Sequence, residues 1–239
     1  MVRINRYLSR CNLGSRRYVE TLIQSGKISI NGETCYDLSR QIDPASDKVF
    51  YQAKEVKQKK GNFYIMLNKP VNYLVTAKDD FGRKTVFELL PDEDLHLFPI
   101  GRLDLKSEGL LLLTSDGDFA NEIMHPRYKL PKVYKVSVKG SINRNQIEQL
   151  RQGVEIDGRK TLPARVYIKN RKSDQTQLRI VIREGRKRQI RKMISFIGSE
   201  VIRLKRTQIG KVKLGDLPSG RWRYLTNGEI RSLRSAVKE

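Results

Sequence analysis

From residue 62 onward the chain is punctuated by short runs in which β-branched and other apolar residues alternate or cluster. FYIML, GLLLLT, VYKVSVK, ARVYIK and QLRIVI all read as strands. These runs adjoin in sequence, and turns as short as Asp157-Gly158 join some of their neighbours. Such spacing predicts a mixed, largely antiparallel sheet with helices packed on it, an α+β fold. The helices are expected at Phe119–Met124, at Asn143–Arg151 with Ser141 as its cap, at Arg188–Ile197 and at Glu229–Val237.

The first sixty residues follow a different pattern. Ile4, Tyr7, Leu8 and Cys11 recur at helical spacing, and Gly14 stops that helix. Ser15 is placed to cap a second helix that buries Val19, Leu22 and Ile23 and ends at Gly26. Asn31-Gly32, between alternating residues, is a type I′ hairpin signal. A strand over Lys48–Tyr51 completes a compact α-α-β unit. Ala53–Gly61 lacks apolar periodicity and carries four lysines, so it reads as a linker. The boundary falls there, giving domains over 1–60 and 61–239.

Charge narrows the partner. Forty-eight Lys and Arg against 26 Asp and Glu leave a net charge of +22, and such a surplus seeks a polyanion. Arg3, Arg6 and Arg10 share one face of the first helix, and Arg16, Arg17 and Lys27 extend it, with no acid among the first seventeen residues. A charged face is ordinarily just solvated; two adjacent helices of this kind favour phosphate contact. The only cysteines, Cys11 and Cys35, form no metal-binding or redox motif, and Cys11 is expected to be a small buried thiol. No run of 18 apolar residues and no hydrophobic leader core is evident, so the chain reads as soluble, cytoplasmic and free of membrane partners.

R-x-x-R-Y-L (Arg3–Leu8), G-S-R-R (Gly14–Arg17) and G-K-I-S-I-N-G-E (Gly26–Glu33) resemble the S4 RNA-binding module. That resemblance implies binding to structured RNA and no chemistry by itself.

The densest string lies at Phe98–Asp118, FPIGRLDLKSEGLLLLTSDGD, where a loop rich in polar residues runs into the apolar strand Leu110–Leu113. Loops leading into core strands carry function, although a loop Asp is usually a turn former or a cap. G-R-L-D-x-x-S-E-G-L-L-L-L-T-S-D-G resembles the signature of the ribosomal pseudouridine synthases of the RsuA/RluB type. Further family landmarks follow in order: L-N-K-P (Leu67–Pro70), K-V-Y-K-V (Lys132–Val136), E-G-R-K-R-Q-I-R-K-M (Glu184–Met193), V-I-R-L-K-R-T-Q-I-G (Val201–Gly210) and P-S-G-x-W-R-Y-L (Pro218–Leu225). Asn72 stands where Gly is more usual, and Asn tolerates the same left-handed backbone. Ser115 replaces a commoner Asn.

The resemblance implies a cofactor-free isomerisation with no metal, in which uracil is detached from ribose, turned and rejoined through C5. It makes Asp104 the carboxylate at the glycosidic bond, acting on the sugar as a nucleophile or by removing a sugar proton. Arg191 becomes the partner that keeps it ionised. Tyr134 becomes the platform for the flipped base, Leu204 an apolar wall, and Arg102 the residue entering the vacated space. From residue types alone, Tyr134 and Leu204 read equally as core. Arg191 reads as a phosphate ligand, because Arg183–Lys213 holds eleven basic and two acidic residues. Arg186, Lys187 and Arg188 are read as RNA contacts. Ser107 and Glu108 are expected to shape the loop, Asp116-Gly117 to turn the chain, and His125 to be structural. The expected partner is ribosomal RNA, naked or within a pre-ribosomal particle, and the chain is expected to be a monomer. The target favoured is large-subunit RNA, from the G-S-R-R form of the S4 helix. The rival readings are a non-catalytic ribosome-assembly protein on the same fold and a DNA-binding protein, the latter lacking any recognition-helix motif.

Overall fold

The computed structural model describes residues 1–58, 61–77, 79–91 and 95–237. They group into two compact units, one formed by the described residues of 1–62 with 95–97, the other by those of 63–91 and 98–237.

In the first unit, β1 (Val2–Arg3) leads into α1 (Ile4–Arg10), followed by α2 (Arg16–Gln24), β2 (Ile28–Ile30), β3 (Glu33–Thr34), β4 (Gln41–Ile42), β5 (Val49–Tyr51) and β6 (Lys54–Glu55). β3-β2-β5-β6 make a four-stranded sheet and β1 pairs with β4. Ile4, Leu8, Val19, Ile23, Ile28, Ile42 and Val49 are wholly buried in one cluster. The Ser15 hydroxyl caps α2 by accepting from the Tyr18 N–H at 3.2 Å. Asn31 and Gly32 both take positive φ, as a type I′ turn demands.

Three expectations need correction here. Arg3 ends β1 at the N-cap position of α1, without a side-chain capping bond, and so precedes the helix face. Cys11 is half-buried at the C-cap of α1, one residue past the end of the helix that the apolar spacing suggested would include it. Ala53–Gly61 is not all linker: β6 pairs with β5 through a turn at Gln52 and Ala53, both left-handed. Neither residue type advertises that turn. Residues 59 and 60 of the linker reading lie outside the described residues.

The second unit is built on one sheet. β7 (Tyr64–Lys69), β8 (Phe98–Ile100), β9 (Glu108–Thr114), β10 (Lys132–Lys139), β11 (Glu155–Ile156), β12 (Arg159–Lys160), β13 (Arg165–Arg171), β14 (Gln175–Ile182), β15 (Val201–Ile209), β16 (Val212–Lys213) and β17 (Trp222–Tyr224) alternate with α3 (Gly117–Met124), α4 (Arg144–Gln152), α5 (Gln189–Phe196) and α6 (Asn227–Ser235). The sheet runs β13-β14-β10-β15-β9-β7-β17, with β16 beside β15 and β8 beside β9; β11 and β12 form a separate hairpin. Every pairing in it is antiparallel except β15 with β9, so the mixed, mostly antiparallel α+β architecture holds.

β9 explains the leucine run. All seven of its residues are buried, and Leu110 and Leu112 join Phe119, Ile123, Leu233 and Val237 under α3 and α6. Leu111 and Leu113 point to the opposite face and are equally buried. A strand covered on both faces needs no alternation. α4 is capped by Asn143, whose side chain and that of Gln146 exchange hydrogen bonds with each other's backbone, and not by Ser141. Asp116 does more than turn the chain: it caps α3, accepting from Asp118 and Phe119.

The parallel contact rests on Gly109, whose φ is +103°. A Cβ there would stand 2.2 Å from the Arg206 carbonyl oxygen. Gly109→Ala is therefore expected to lower unfolding stability by about 2 kcal/mol or more. A denaturant midpoint equal to wild type would show that β9 and β15 separate freely.

Candidate active site

The segment 101–107 emerges from β8 and returns into β9, and three tethers shape it. The Ser107 N–H donates to the Asp104 carbonyl at 2.9 Å, closing a tight turn around Asp104. The Asn72 N–H donates to the Leu105 carbonyl at 2.8 Å, from a residue at φ 64°, the left-handed backbone expected of it. Beneath lies Lys69, at the end of β7 and wholly buried. Its ammonium donates to the carbonyls of Pro70 (2.8 Å), Ser107 (2.8 Å) and Leu105 (3.5 Å). Burial pulls Lys69 down to about 8, against the charges of Asp104 and Glu108, which favour its protonated form.

Arg191, on α5, grips the same loop from another side. Its Nη2 donates to the Lys106 carbonyl at 2.7 Å and its Nη1 to the Val201 carbonyl at 3.2 Å, while its buried Nε has no partner. Burial, and then Arg188, lower its affinity for its proton, and Asp104 opposes them through space. Among the described residues no ion pair joins Arg191 to Asp104, and no donor is bonded to the Asp104 carboxylate. Arg191 thus lies near Asp104 but spends its hydrogen bonds on backbone carbonyls, one in the Asp104 loop and one at the start of β15.

The sheet supplies the floor. Tyr134 on β10 lies directly opposite Arg206 on β15, and Val136 opposite Leu204. Side chains two apart on a strand share a face, so Lys132, Tyr134, Leu204 and Arg206 stand together. With Arg102 and Asp104 they line a cleft of about 1010 Å³. Tyr134 and Leu204 are 7% and 6% exposed. Arg206 is 3% exposed: its Nε donates to the Leu110 carbonyl at 2.7 Å, and its Nη2 is buried without a partner. An unsatisfied buried guanidinium nitrogen costs free energy unless something fills it. Lys132 is pulled down to about 8 by burial and then by Arg206, with Glu184 acting the other way. Eight lysines and arginines line the cleft against two carboxylates, Asp104 and Glu184.

The other predicted residues divide. Arg102, Lys187 and Arg188 are exposed, as are Arg3, Arg6, Arg16, Arg17 and Lys27 in the first unit; Arg10 is half-buried. Arg186 is occupied, donating to the carbonyls of Arg159 and Ile156 and so bracing the β11–β12 hairpin. Glu108 is buried and paired with Arg203, and His125 accepts from the Arg127 N–H in a turn, as their structural readings required. Sequence reasoning missed Lys69, Lys132 and Arg206. Lys69 had one usable signal, a lysine one residue past the apolar run of a strand and directly before a proline. The other two are indistinguishable from surface charge in a basic segment.

A cationic cleft floored by an aromatic and an aliphatic side chain, with one unpartnered carboxylate at its edge, suits an enzyme acting on nucleic acid. Comparison with known proteins names the class. The RNA pseudouridylate synthase family profile matches residues 63–196 and that of the S4 domain residues 2–49. An uncharacterized RNA pseudouridine synthase of Aquifex aeolicus is 42% identical over 99% of this chain and 95% of its own length. Ribosomal large subunit pseudouridine synthase B of Bacillus subtilis is 36% identical over 98% of this chain and 96% of its own. A crystal structure of a pseudouridylate synthase superposes with a TM-score of 0.71 at 27% identity, covering 98% of this chain and all of the other. The chain belongs to the RNA pseudouridine synthase family, a family of isomerases. Its similarity within that family is to the S4-bearing enzymes of the RsuA/RluB type.

Lys69→Met removes the ammonium from the Pro70 and Ser107 carbonyls, while Leu105 keeps the Asn72 N–H, and a loss of about 2–4 kcal/mol in unfolding free energy is expected. The folded-state value of Lys69 lies below its unfolded one, so its contribution to stability rises as pH climbs from about 8 towards 10. The gap between wild type and Lys69→Met in denaturant unfolding should widen over that range. A gap that is constant or shrinks with pH would show that Lys69 is not held against its charge.

Proposed function

We propose that this chain isomerises one uridine in ribosomal RNA, with large-subunit RNA the favoured target, and that Asp104 is the residue that acts on the sugar. The observation that carries the reading is the Asp104 carboxylate, without a bonded donor in a cleft otherwise dominated by cations. A protein that only bound RNA would gain nothing from a carboxylate that repels phosphate. Asp104 either attacks C1′ as the N1–C1′ bond breaks or removes the C2′ proton to give an elimination intermediate. In both routes uracil turns and C5 bonds to C1′, as the Asp104–C1′ bond breaks in the first and the abstracted proton returns to C2′ in the second. C5 then loses its proton and N1 takes one up, so product and substrate are isomers and no cofactor is consumed.

In this reading Tyr134 stacks on the flipped uracil and relays the C5 proton through its hydroxyl, and Leu204 walls the pocket. Arg206 offers its unpartnered Nη2 to a uracil carbonyl. Arg191 acts on Asp104 as a positioning group and a nearby positive charge. Arg102 fills the gap left by the flipped base. Residues 1–60 dock structured RNA through Arg3, Arg6, Arg10, Arg16, Arg17 and Lys27, while 61–239 carry the chemistry, aided by Lys187 and Arg188. The setting is a cytoplasmic monomer acting on ribosomal RNA, naked or in a pre-ribosomal particle.

The decisive measurement maps pseudouridine in ribosomal RNA from cells with the wild-type gene, no gene, or Asp104→Asn. One site should vanish without the gene and stay absent with a folded Asp104→Asn protein. A map identical in all three strains would replace this reading with the ribosome-assembly one. Replacing Arg16 and Arg17 together with Ala should weaken RNA association and reduce the slope of log affinity against log salt by about 2. An unchanged slope would remove those arginines from the docking surface.

A further inference from the structure

Between the Asp104 loop and residues 74–76 and 79–83 lies a second hollow, of about 420 Å³. It shares Arg102, Leu103, Asp104 and Lys187 with the larger cleft. Phe81 borders it and is 81% exposed; among the described large apolar residues only Met1 is more exposed. A single exposed aromatic is unremarkable, but the turn that carries this one is tied down. The nearly buried Asp79 carboxylate accepts from the Phe81 N–H at 3.1 Å, the Arg83 N–H at 2.8 Å and the Arg83 Nη2 at 2.6 Å. The loop ends are tied by Leu74 N–H to the Lys84 carbonyl and Val86 N–H to the Leu74 carbonyl, each at 2.9 Å. The Arg83 guanidinium carbon stands 5.0 Å from the Phe81 ring centroid, bracing the ring. With the turn so tied, the Phe81 ring presents its apolar surface to solvent.

We infer that this hollow is a subsite for an unpaired nucleobase of the RNA strand, next to the nucleotide at Asp104, with Phe81 as its stacking platform. The inference rests on the reading of Asp104 as the site of reaction and adds a second contact to it. Leu74, Val75 and Phe81 present an apolar lining, while Asp79, Asp80 and Asp104 border the same space and disfavour a phosphate within it. A flat, uncharged base suits that combination. Arg102 and Lys187, shared by both hollows, lie where the linking phosphates would pass. The volume falls within the range of small-ligand sites. Holding a neighbouring base out of its stack also lowers the cost of extruding the target.

The test uses the full chain and two probes, pentauridylate and a pentameric ribose-phosphate lacking bases, both at low salt. Phe81 is surface-exposed, so Phe81→Ala and Phe81→Trp should fold as wild type, which circular dichroism checks. Stacking on an aromatic is worth roughly a fivefold to hundredfold change in affinity per base. Phe81→Ala should lose about tenfold in affinity for pentauridylate and nothing for the abasic probe. In a Phe81→Trp, Trp222→Phe double variant, where position 81 carries the only tryptophan, pentauridylate should quench the fluorescence and the abasic probe should not. Equal affinity of wild type and Phe81→Ala for pentauridylate overturns the subsite. So does an equal loss on both probes, an absence of quenching, or a failure of wild type to bind pentauridylate. None of these readings depends on turnover. If Asp104→Asn leaves the pseudouridine map intact while quenching persists, Asp104 loses its role and the subsite stands.

Discussion

A buried ammonium organises the site. Lys69 ends a central strand with no exposed surface, and its three hydrogen bonds reach the carbonyls of the residue after it and of two residues in the Asp104 loop. Burying an amine costs free energy unless it is bonded, and the lowering of its pKa to about 8 expresses that cost. The return is geometric. A loop on the surface would otherwise sample many conformations, but this one is tied to the sheet from below by Lys69, from one side by Asn72 and from another by Arg191.

This arrangement separates two tasks within one basic cleft. Arginines that bind phosphate must present free donors, whereas arginines that shape a site must spend theirs. Arg191 and Arg186 spend theirs on backbone carbonyls. Lys187 and Arg188, their neighbours in the same motif, remain exposed. Arg206 is intermediate, with one nitrogen anchored on Leu110 and another left buried and unpartnered beside Tyr134. Identical residue types within twenty-one positions thus serve three purposes, decided by where the backbone carbonyls of other strands happen to lie.

Phe81 and Tyr134 illustrate the same division for aromatics. Tyr134 sits in an alternating strand and is 7% exposed, so its strand membership follows from local pattern. That its ring floors a cleft follows from β15 pairing beside it, a strand more than sixty residues distant. Phe81 has no periodic context at all, and its exposure follows from the Asp79–Arg83 bracing of the turn.

Much of the fold was legible because it depends on local signals. The Ser15 cap, the Asn31-Gly32 turn, the leucine run of β9 and the alternation of β10 and β14 each draw their structure from neighbours in sequence. The Gln52-Ala53 turn was not legible, since both residues take a left-handed backbone that neither type favours, and the half-buried position of Cys11 at the end of its helix was not legible from apolar spacing alone. For the site, the motifs marked Asp104, Tyr134, Arg191 and Leu204, and the structure brings the loop, strand and helix that bear them together. By itself the sequence determined which segments are strands and helices, the strong positive charge, and the family through its ordered motifs. Tertiary structure alone decided that Lys69 is a buried staple and that Arg191 meets carbonyls and not the carboxylate. It also decided that Arg206 keeps an unfilled donor. The reason is that hydrogen-bond partners across a sheet are set by strand order and register, which no local pattern of residues encodes.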